Sequence, residues 1–457
     1  MKTAITIVGG VVGASVGQPQ LGLMVGAMLG SYLYPPGSNA QAMRVGGMRF
    51  SAPQKGQVLP IIYGKTRVAG TIIWYGDFQT HAADSGGSGG GSKGSGQDTY
   101  TVGLAIALCE GRVSGLWGGW AGGDVIDLIP PDEICTVDFE QGEPTQVANA
   151  YITAHLAAGQ EAVAYPGVSY VVLQGYPLGY TTSIPSFTFE ISRLMAALTA
   201  DNPAIAALGL DGYVEDGNGD MSPVVCLADF MTNPRYGLGL DATDLDAASW
   251  VEEAAYASYM SLVCSPVLEN SQPGTSHIEH LLSYFDGILV YTQGAFHLHS
   301  RRSPSREDLP YTQIQPWEWL DGYVPKFGRG TDRQAANTVT LEYLSRADSY
   351  NSATSERRDD WDIGRRGLYR EQLALNGVTT AVVADRICSK LLWARITGPK
   401  TVEWGMGPAG VWYEPGILVS FELIGASAYA LEGTVYRIVK ITENPDGTFI
   451  FAGVEER

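Results

Sequence analysis

Residues Pro223 to Leu240 read PVVCLADFMTNPRYGLGL. Val224, Val225, Leu227, Ala228, Phe230 and Met231 recur at helical spacing, which predicts a helix laying one apolar stripe against a core. Asn233-Pro234 ends it, because proline carries no amide and its ring disfavours helix in the residue before it. Gly237 and Gly239 leave the next turn free to take backbone angles that other residues avoid. Outward from this joint, the chain before it reads mostly as strands and the chain after it as mixed helix and strand.

Composition narrows the function. The 457 residues are enough for about two to four domains with real cores. The 57 glycines and 24 tyrosines favour turns and strands over helix bundles. A formal net charge of −19 excludes a nucleic-acid-coating role, since phosphate contacts need clustered Lys and Arg. Cys109, Cys135, Cys226, Cys264 and Cys388 are scattered without a CxxC pair, so they read as buried reduced thiols rather than metal ligands.

Residues 4–33 are apolar and glycine-spaced, at Gly9, Gly13 and Gly17, then Gly22, Gly26 and Gly30. This small-xxx-small pattern lets helices approach closely. Pro19-Gln20 breaks the run, and neither half reaches the roughly 20 apolar residues that a lone membrane span needs. Residues 1–43 therefore read as an apolar helical segment buried in an assembly, with a signal peptide as the alternative.

From about Arg44 short strands take over. Val58–Gly70 and Thr71–Tyr75 read as a hairpin broken at Gly64 and Gly70. The stretch SGGSGGGSKGSG at 85–96 has no side chains to bury and reads as a mobile loop at the tip of a longer hairpin that resumes at Tyr100. Residues 145–160 hold a short helix, and Ser169–Arg193 return to strands. Beyond the joint, an amphipathic helix is expected over Asp246–Leu262, and a second, capped by Ser276, running to Phe285. A hairpin turning at Gln293-Gly294 follows, then a strand over Asn337–Tyr343 and a solvated charge run at 357–360. A helix capped by Thr379 or Thr380 comes next, and a closing antiparallel sheet over Val411–Phe421, Tyr436–Ile441 and Thr448–Val454.

Candidate chemistry is sparse. His277 and His280 on a helix and His297 and His299 on a strand have zinc-like spacing. Across the Gln293-Gly294 turn, however, His297 and His299 share a face with Ile288 and Val290. Leu289, Tyr291, Phe296 and Leu298 make the face that a helix would cover. The four histidines therefore read as exposed polar residues. Asp216–Asp220 lacks the glycine and glutamate of an EF-hand loop and reads as a polar turn. No pair of carboxylates shows glycosidase spacing, and GxSxG, P-loop, HExxH and dinucleotide motifs are missing from the sequence. No catalytic, cofactor-binding or metal residue is assigned, and no enzyme activity is expected.

The wording of several stretches is more specific than their periodicity. A helix followed by TNPRYGLGL (232–240) resembles the hub, or tail-tip attachment, proteins of long flexible phage tails, the family of the lambdoid J protein and the gene-transfer-agent hub. LPIIYGKTRVAGTIIW (59–74) is similar to the opening of that family's first domain. The order of the NxVxxxY strand (337–343), the GVT turn (377–379), the EPG turn (414–416) and YRIVKI…DGTF (436–449) matches it too. The resemblance implies an α+β, mostly β fold. Its domains would be two tail-tube-like β-barrels, residues 44–205 and 326–457, with a mixed α/β domain at 206–325 between them.

It also implies a virion tail-tip protein, assembled in the host cytoplasm. Three copies would join a sixfold tail tube to a threefold tip and form the DNA exit channel. The implied partners are the tail tube or a distal tail protein, the tape-measure protein, and separate fibre or tip proteins. The last are implied because this sequence stops at Arg457, before the fibre regions of the lambdoid proteins. Residues 4–33 could contact the host membrane, and no specific nucleic-acid binding is expected. A second reading from another class is a cell-wall hydrolase or carbohydrate-binding module of the virion.

Overall fold

The computed structural model describes residues 58–81, 98–128, 133–269, 271–301, 312–320, 325–329, 335–395, 400–422 and 434–456. The apolar helical segment and the 85–96 loop both lie outside the described residues.

The N-terminal part is two sheets packed face to face. The first is centred on Thr99–Glu110, which pairs antiparallel with Val168–Gly179 on one side and with Thr71–His81 on the other. Thr136–Glu140 extends it beyond Val168–Gly179, while Ile61–Ile62 and Val267–Leu268 add a short pair at one end. The second sheet runs Gly64–Ala69, Phe187–Arg193, Gly115–Ala121, Asp124–Ile126. Leu104, Ile106 and Leu108 face Val68, Phe189 and Ile191 across the shared core. The alternate residues Ala105 and Ala107 are covered on the other side by Ile152, from the helix Ala150–Ala154. Burial on both faces explains why the central strand reads as an unbroken apolar run.

One expected hairpin does not form. Gly64–Ala69 pairs with Phe187–Arg193 in the second sheet, whereas Thr71–His81 pairs with Thr99–Glu110 in the first. Gly70 is the corner between them. A Cβ there would come within 2.3 Å of Ile106 Cγ2 and 3.0 Å of Phe189 Cε2, so only glycine lets the chain cross the core between sheets. The longer hairpin spanning the 85–96 stretch is present, closing at His81↔Thr99.

The middle of the molecule is organised around the helix Pro223–Thr232, with every residue buried. The single apolar stripe expected from sequence is thus corrected: the helix is surrounded on all sides. Around it pack Met195–Asp201, Ala204–Ala207, Ala247–Tyr259 and Gly274–Ser283, together with the sheet Asn351–Arg358, Thr338–Ser345, Arg370–Ala374 and its helix Ala381–Arg395. One apolar cluster runs from Tyr63 to Leu391, across both 205/206 and 325/326. The second amphipathic helix begins at Gly274 rather than at a Ser276 cap, because Ser276 N–H already bonds Pro273 O from within the first turn.

The C-terminal sheet runs Thr312–Ile314, Leu418–Phe421, Val435–Glu443, Phe449–Glu456, Lys400–Met406, Lys326–Arg329. It curls around an aromatic interior. Trp404 stacks on Phe451 with centroids 5.0 Å apart, and Phe327 on one edge strand reaches Phe421 and Tyr436. This is a half-barrel; among the described residues its two edge strands are not paired with each other. The strand expected from Val411 starts only at Leu418, since Pro408–Trp412 is a 3-10 turn with Gly410 against the Phe449 ring. Of the five cysteines four are buried and Cys135 is half-buried, all as free thiols, and burial pushes the Cys109 thiol up to about 11. No described helix is long and apolar enough to cross a membrane.

Candidate functional site

The joint helix carries a carboxylate in its most buried turn. Asp229 is fully enclosed, and it accepts hydrogen bonds from Tyr63 Oη at 2.9 Å, Tyr236 Oη at 2.7 Å and Asn202 Nδ2 at 2.9 Å. Burial first, and then the Asp229 charge, raise both phenols far above the ordinary tyrosine range, so each stays a donor. The buried Arg193 lies over the Tyr236 ring and pairs with Asp201 at 3.1 Å. The helix end is closed by the returning chain: Leu238 N–H bonds Phe230 O and Leu240 N–H bonds Met231 O. These carbonyls have no partner inside the helix, which is why TNPRYGLGL folds back upon it.

Gly237 was expected to hold an unusual backbone angle, and the structure corrects the reason it is glycine. Gly239, not Gly237, has the left-handed φ, at +66°. A Cβ on Gly237 would sit 2.2 Å from Phe230 O and 2.8 Å from Asn233 O, so the position requires close backbone approach instead.

A seam joins this unit to the second sheet along alternate residues, from Tyr63 into the strand Gly64–Ala69 that follows it. Tyr63 reaches Asp229. At Lys65 the N–H bonds Ser265 Oγ and the carbonyl accepts from Arg346 Nη2 at 2.7 Å. Arg67 Nη1 bonds Ser349 O at 3.0 Å while its guanidinium stacks on Trp120 at 3.8 Å. Asp220 ties the middle of the seam, accepting from Ser265 Oγ, Thr379 Oγ1 and Arg346 Nη2 at 2.5, 3.0 and 2.6 Å. The Asp216–Asp220 stretch is the expected polar turn, with Asp216 Oδ1 taking the N–H groups of Asn218 and Asp220. Its last residue, however, is a buried anchor at 2 % exposure.

A third buried ionic group fastens the half-barrel. Arg437 and Glu456 form a bidentate pair at 3.1 and 2.8 Å, and Arg437 Nη1 bonds Gly416 O. Arg437 Nη2 reaches Ser300 O on the hairpin Gly287–Thr292/Ala295–Ser300, and Ser300 Oγ bonds Glu253 of Ala247–Tyr259 at 2.6 Å. Lys390 Nζ donates to Phe285 O nearby, its pKa lowered by burial.

The four histidines lie in four different settings. Ile288↔His299 and Val290↔His297 face each other in the register read from sequence. All four are half-buried rather than exposed, the strand pair against Asp246 and Gly416 and the helix pair against Phe230 and Tyr284. His277 meets the Phe230 ring edge-on, His297 Nδ1 lies 3.3 Å from Asp246, and His299 rests against Gly416. His280 Nε2 is 3.0 Å from Tyr284 Oη, which accepts the Gly377 N–H and so keeps its own proton for the imidazole. Burial, with a smaller contribution from His277, depresses His280 to about 4. Asp246 would be raised by burial, but Ser249 and the two strand histidines hold it below the usual carboxylate range. Among the described residues no group of three or more His, Cys, Asp or Glu is placed to hold a metal.

Taken chemically, these sites hold rather than react. Asp220, Asp229 and Glu456 each accept from donors elsewhere in the chain, at Thr379, Tyr63 and Arg437 among others. Sequence reasoning passed over Asp220, Asp229, Arg346, Arg437 and Glu456. Only Asp229 carried a local signal, an acid inside the otherwise apolar VVCLADFM.

Residues 274–441 match the family described as putative phage tail protein. The match lies beyond the 223–240 stretch. Along its whole length the chain has the fold of a chain in "Virion of native gene transfer agent (GTA) particle", with TM-score 0.64 and 19% identity, covering 99% of this chain and 96% of that one. A tail protein from Neisseria meningitidis MC58 aligns with TM-score 0.32 at 9% identity, covering 84% of this chain and 96% of its own. The prophage MuSo2 43 kDa tail protein from Shewanella oneidensis gives 0.31 at 13%, covering 86% and 98%. No curated protein matches. Part of the chain is thus similar to a phage tail family, and its overall fold is that of a chain from a gene transfer agent virion, in keeping with the resemblance read from the sequence.

Proposed function

We propose that this chain is the structural hub of a phage tail tip, joining a sixfold tail tube to a threefold tip as a homotrimer around a DNA exit channel. The observation that carries the reading is the fold likeness over 99% of the chain to a component of a gene transfer agent virion. Residues 44–205 and 326–457 would act as the two tube-like units and residues 206–325 as the link. The buried seam supports this, since a part between two rings must transmit orientation without slack. The net charge of −19 supports a conduit that repels the DNA passing through it.

In this reading the tube or distal tail protein, the tape-measure protein and separate fibre proteins are the neighbours, and the protein reaches the tail tip after assembly in the host cytoplasm. Residues 4–33 would pack in the lumen and could contact the host membrane on release. The test is native mass spectrometry of the purified chain with its tail neighbours, paired with imaging of intact particles. Three copies in a closed ring, and no binding to duplex DNA at physiological salt, are expected. A stable monomer within the particle, or tight DNA binding, would overturn the proposal.

A further inference from the structure

The turn that closes the hairpin Thr338–Ser345/Asn351–Arg358 is strained. Ser349 has φ +49° and ψ +36° and Tyr350 has φ +62°, the only adjacent pair of non-glycine residues with positive φ among the described residues. Hairpin loops that need such angles normally place glycine or asparagine there. Here a 2 % exposed tyrosine occupies one of them.

What holds the turn in place is its docking on the second sheet. Tyr350 Oη donates to Glu190 at 2.7 Å and Arg67 Nη1 donates to Ser349 O at 3.0 Å. Arg346, at the start of the turn, reaches Lys65 O, Asn218 O and Asp220. The turn is therefore one end of the seam that runs through Arg67 and Lys65 to Tyr63. The two ends differ in kind. At Tyr63 the contact is a fully enclosed hydrogen bond to a regular helix; at Arg67 it is a bond to a backbone held in an unfavourable conformation.

A strained segment that persists only because its surroundings over-determine it is a place where a bistable element can sit. We infer that the Ser349–Tyr350 tip of this turn is the release end of the seam: the second sheet parts from the central unit first at Arg67 and Glu190, while Arg346 stays docked on Asp220 and Lys65 and the Tyr63–Asp229 bond is the pivot. When the turn undocks, Ser349 and Tyr350 relax to ordinary backbone angles and water takes over the bonds to Glu190 and Arg67. The strands Thr338–Ser345 and Asn351–Arg358 stay paired, because Val339, Leu341 and Tyr343 are anchored in the central cluster. This inference concerns the chain by itself and does not depend on its proposed place in a particle.

The test is hydrogen exchange on the full chain, comparing residues 345–351 with 223–232, in Ser349→Gly, Ser349→Asn and Tyr350→Phe. Both replacements at 349 accept the left-handed backbone and should slow exchange over 345–351 several-fold. Tyr350→Phe keeps the buried ring but loses the Glu190 bond, and should speed exchange there about tenfold while leaving 223–232 unchanged. If both variants at 349 leave exchange the same or speed it, no strain is stored in the turn and the idea fails. Equal acceleration of 345–351 and 223–232 by Tyr350→Phe would also sink it, because the seam would then open as a whole.

Discussion

The central unit and the C-terminal half-barrel both bury large apolar side chains, yet they solve the problem of orientation in different ways. Around the joint helix, carboxylates are taken fully inside and saturated by donors from remote segments, so that Asp229 and Asp220 each fix three or more pieces of chain at once. The half-barrel interior is aromatic, with Trp404, Phe421, Tyr436 and Phe451 in edge and stacked contacts. Its buried ion pair, Arg437–Glu456, bonds outward to the histidine-bearing hairpin. Ring packing tolerates small slides, whereas a saturated carboxylate does not. The contrast implies that the central unit sets the geometry of the molecule and the half-barrel is attached to it.

The sharpest way to break that contrast is Asp229→Ala. It strands two buried phenols, takes one of its two acceptors from the Asn202 amide and leaves the buried Arg193 with Asp201 but without the Asp229 charge, which should cost about 3–5 kcal/mol in urea unfolding. A loss below ~1 kcal/mol would mean that the node is dispensable. Arg437→Met removes the bidentate partner of the buried Glu456, and should cost roughly 3 kcal/mol. Adding Glu456→Leu should restore most of that loss, because both charges are then gone; a double variant no better than the single would show that the pair is more than a fastening.

Gly237→Ala comes next, at about 2–3 kcal/mol, since the new methyl meets backbone atoms that can move only by opening the helix end. Circular dichroism should retain its strand signal while the melting temperature falls. A variant as stable as the parent would refute the close approach of 237 to Phe230.

A smaller effect tests the histidine region. His280 is depressed from 6.5 to about 4, so folding favours its neutral form. Its contribution is complete above pH 6.5 and is lost progressively as the pH falls towards 4. It should amount to about 1–2 kcal/mol across that window, allowing for partial solvent screening. His280→Gln should flatten the stability profile between those values, and a slope unchanged by this substitution would assign the titration elsewhere. Of the same size, Trp404→Phe should cost about 1–2 kcal/mol, because its indole N–H has no acceptor among the described residues and only packing is lost.

Much of the fold was legible locally. The helix over 223–232, the hairpin turning at Gln293-Gly294 with its register, and the strands around 99–110 and 169–193 all follow from periodicity and turn chemistry, which act between neighbours in the chain. The misread elements share a different cause. Gly70 looked like the end of a hairpin strand and is a corner between two sheets, because strand partners are chosen by what the opposite face can bury. Gly237 looked conformational and is steric. Val411 looked like the start of a strand and is a turn seated on Phe449.

By itself, the sequence determined the mostly β character, the break at Asn233-Pro234, the acidic surface, and the family resemblance carried by short worded stretches. The tertiary structure alone decided where the charges go. Asp220 sits in an ordinary polar turn, Arg437 in an ordinary alternating strand and the half-buried Arg346 in a short 3-10 turn, and nothing within several residues of any of them marks it as a tertiary anchor. Their placement is set by partners well over a hundred residues away in the chain, at Thr379 and Ser300 and, for Arg346, at Lys65. A buried charge is stable only where distant donors converge on it, and that convergence exists only once the chain has folded.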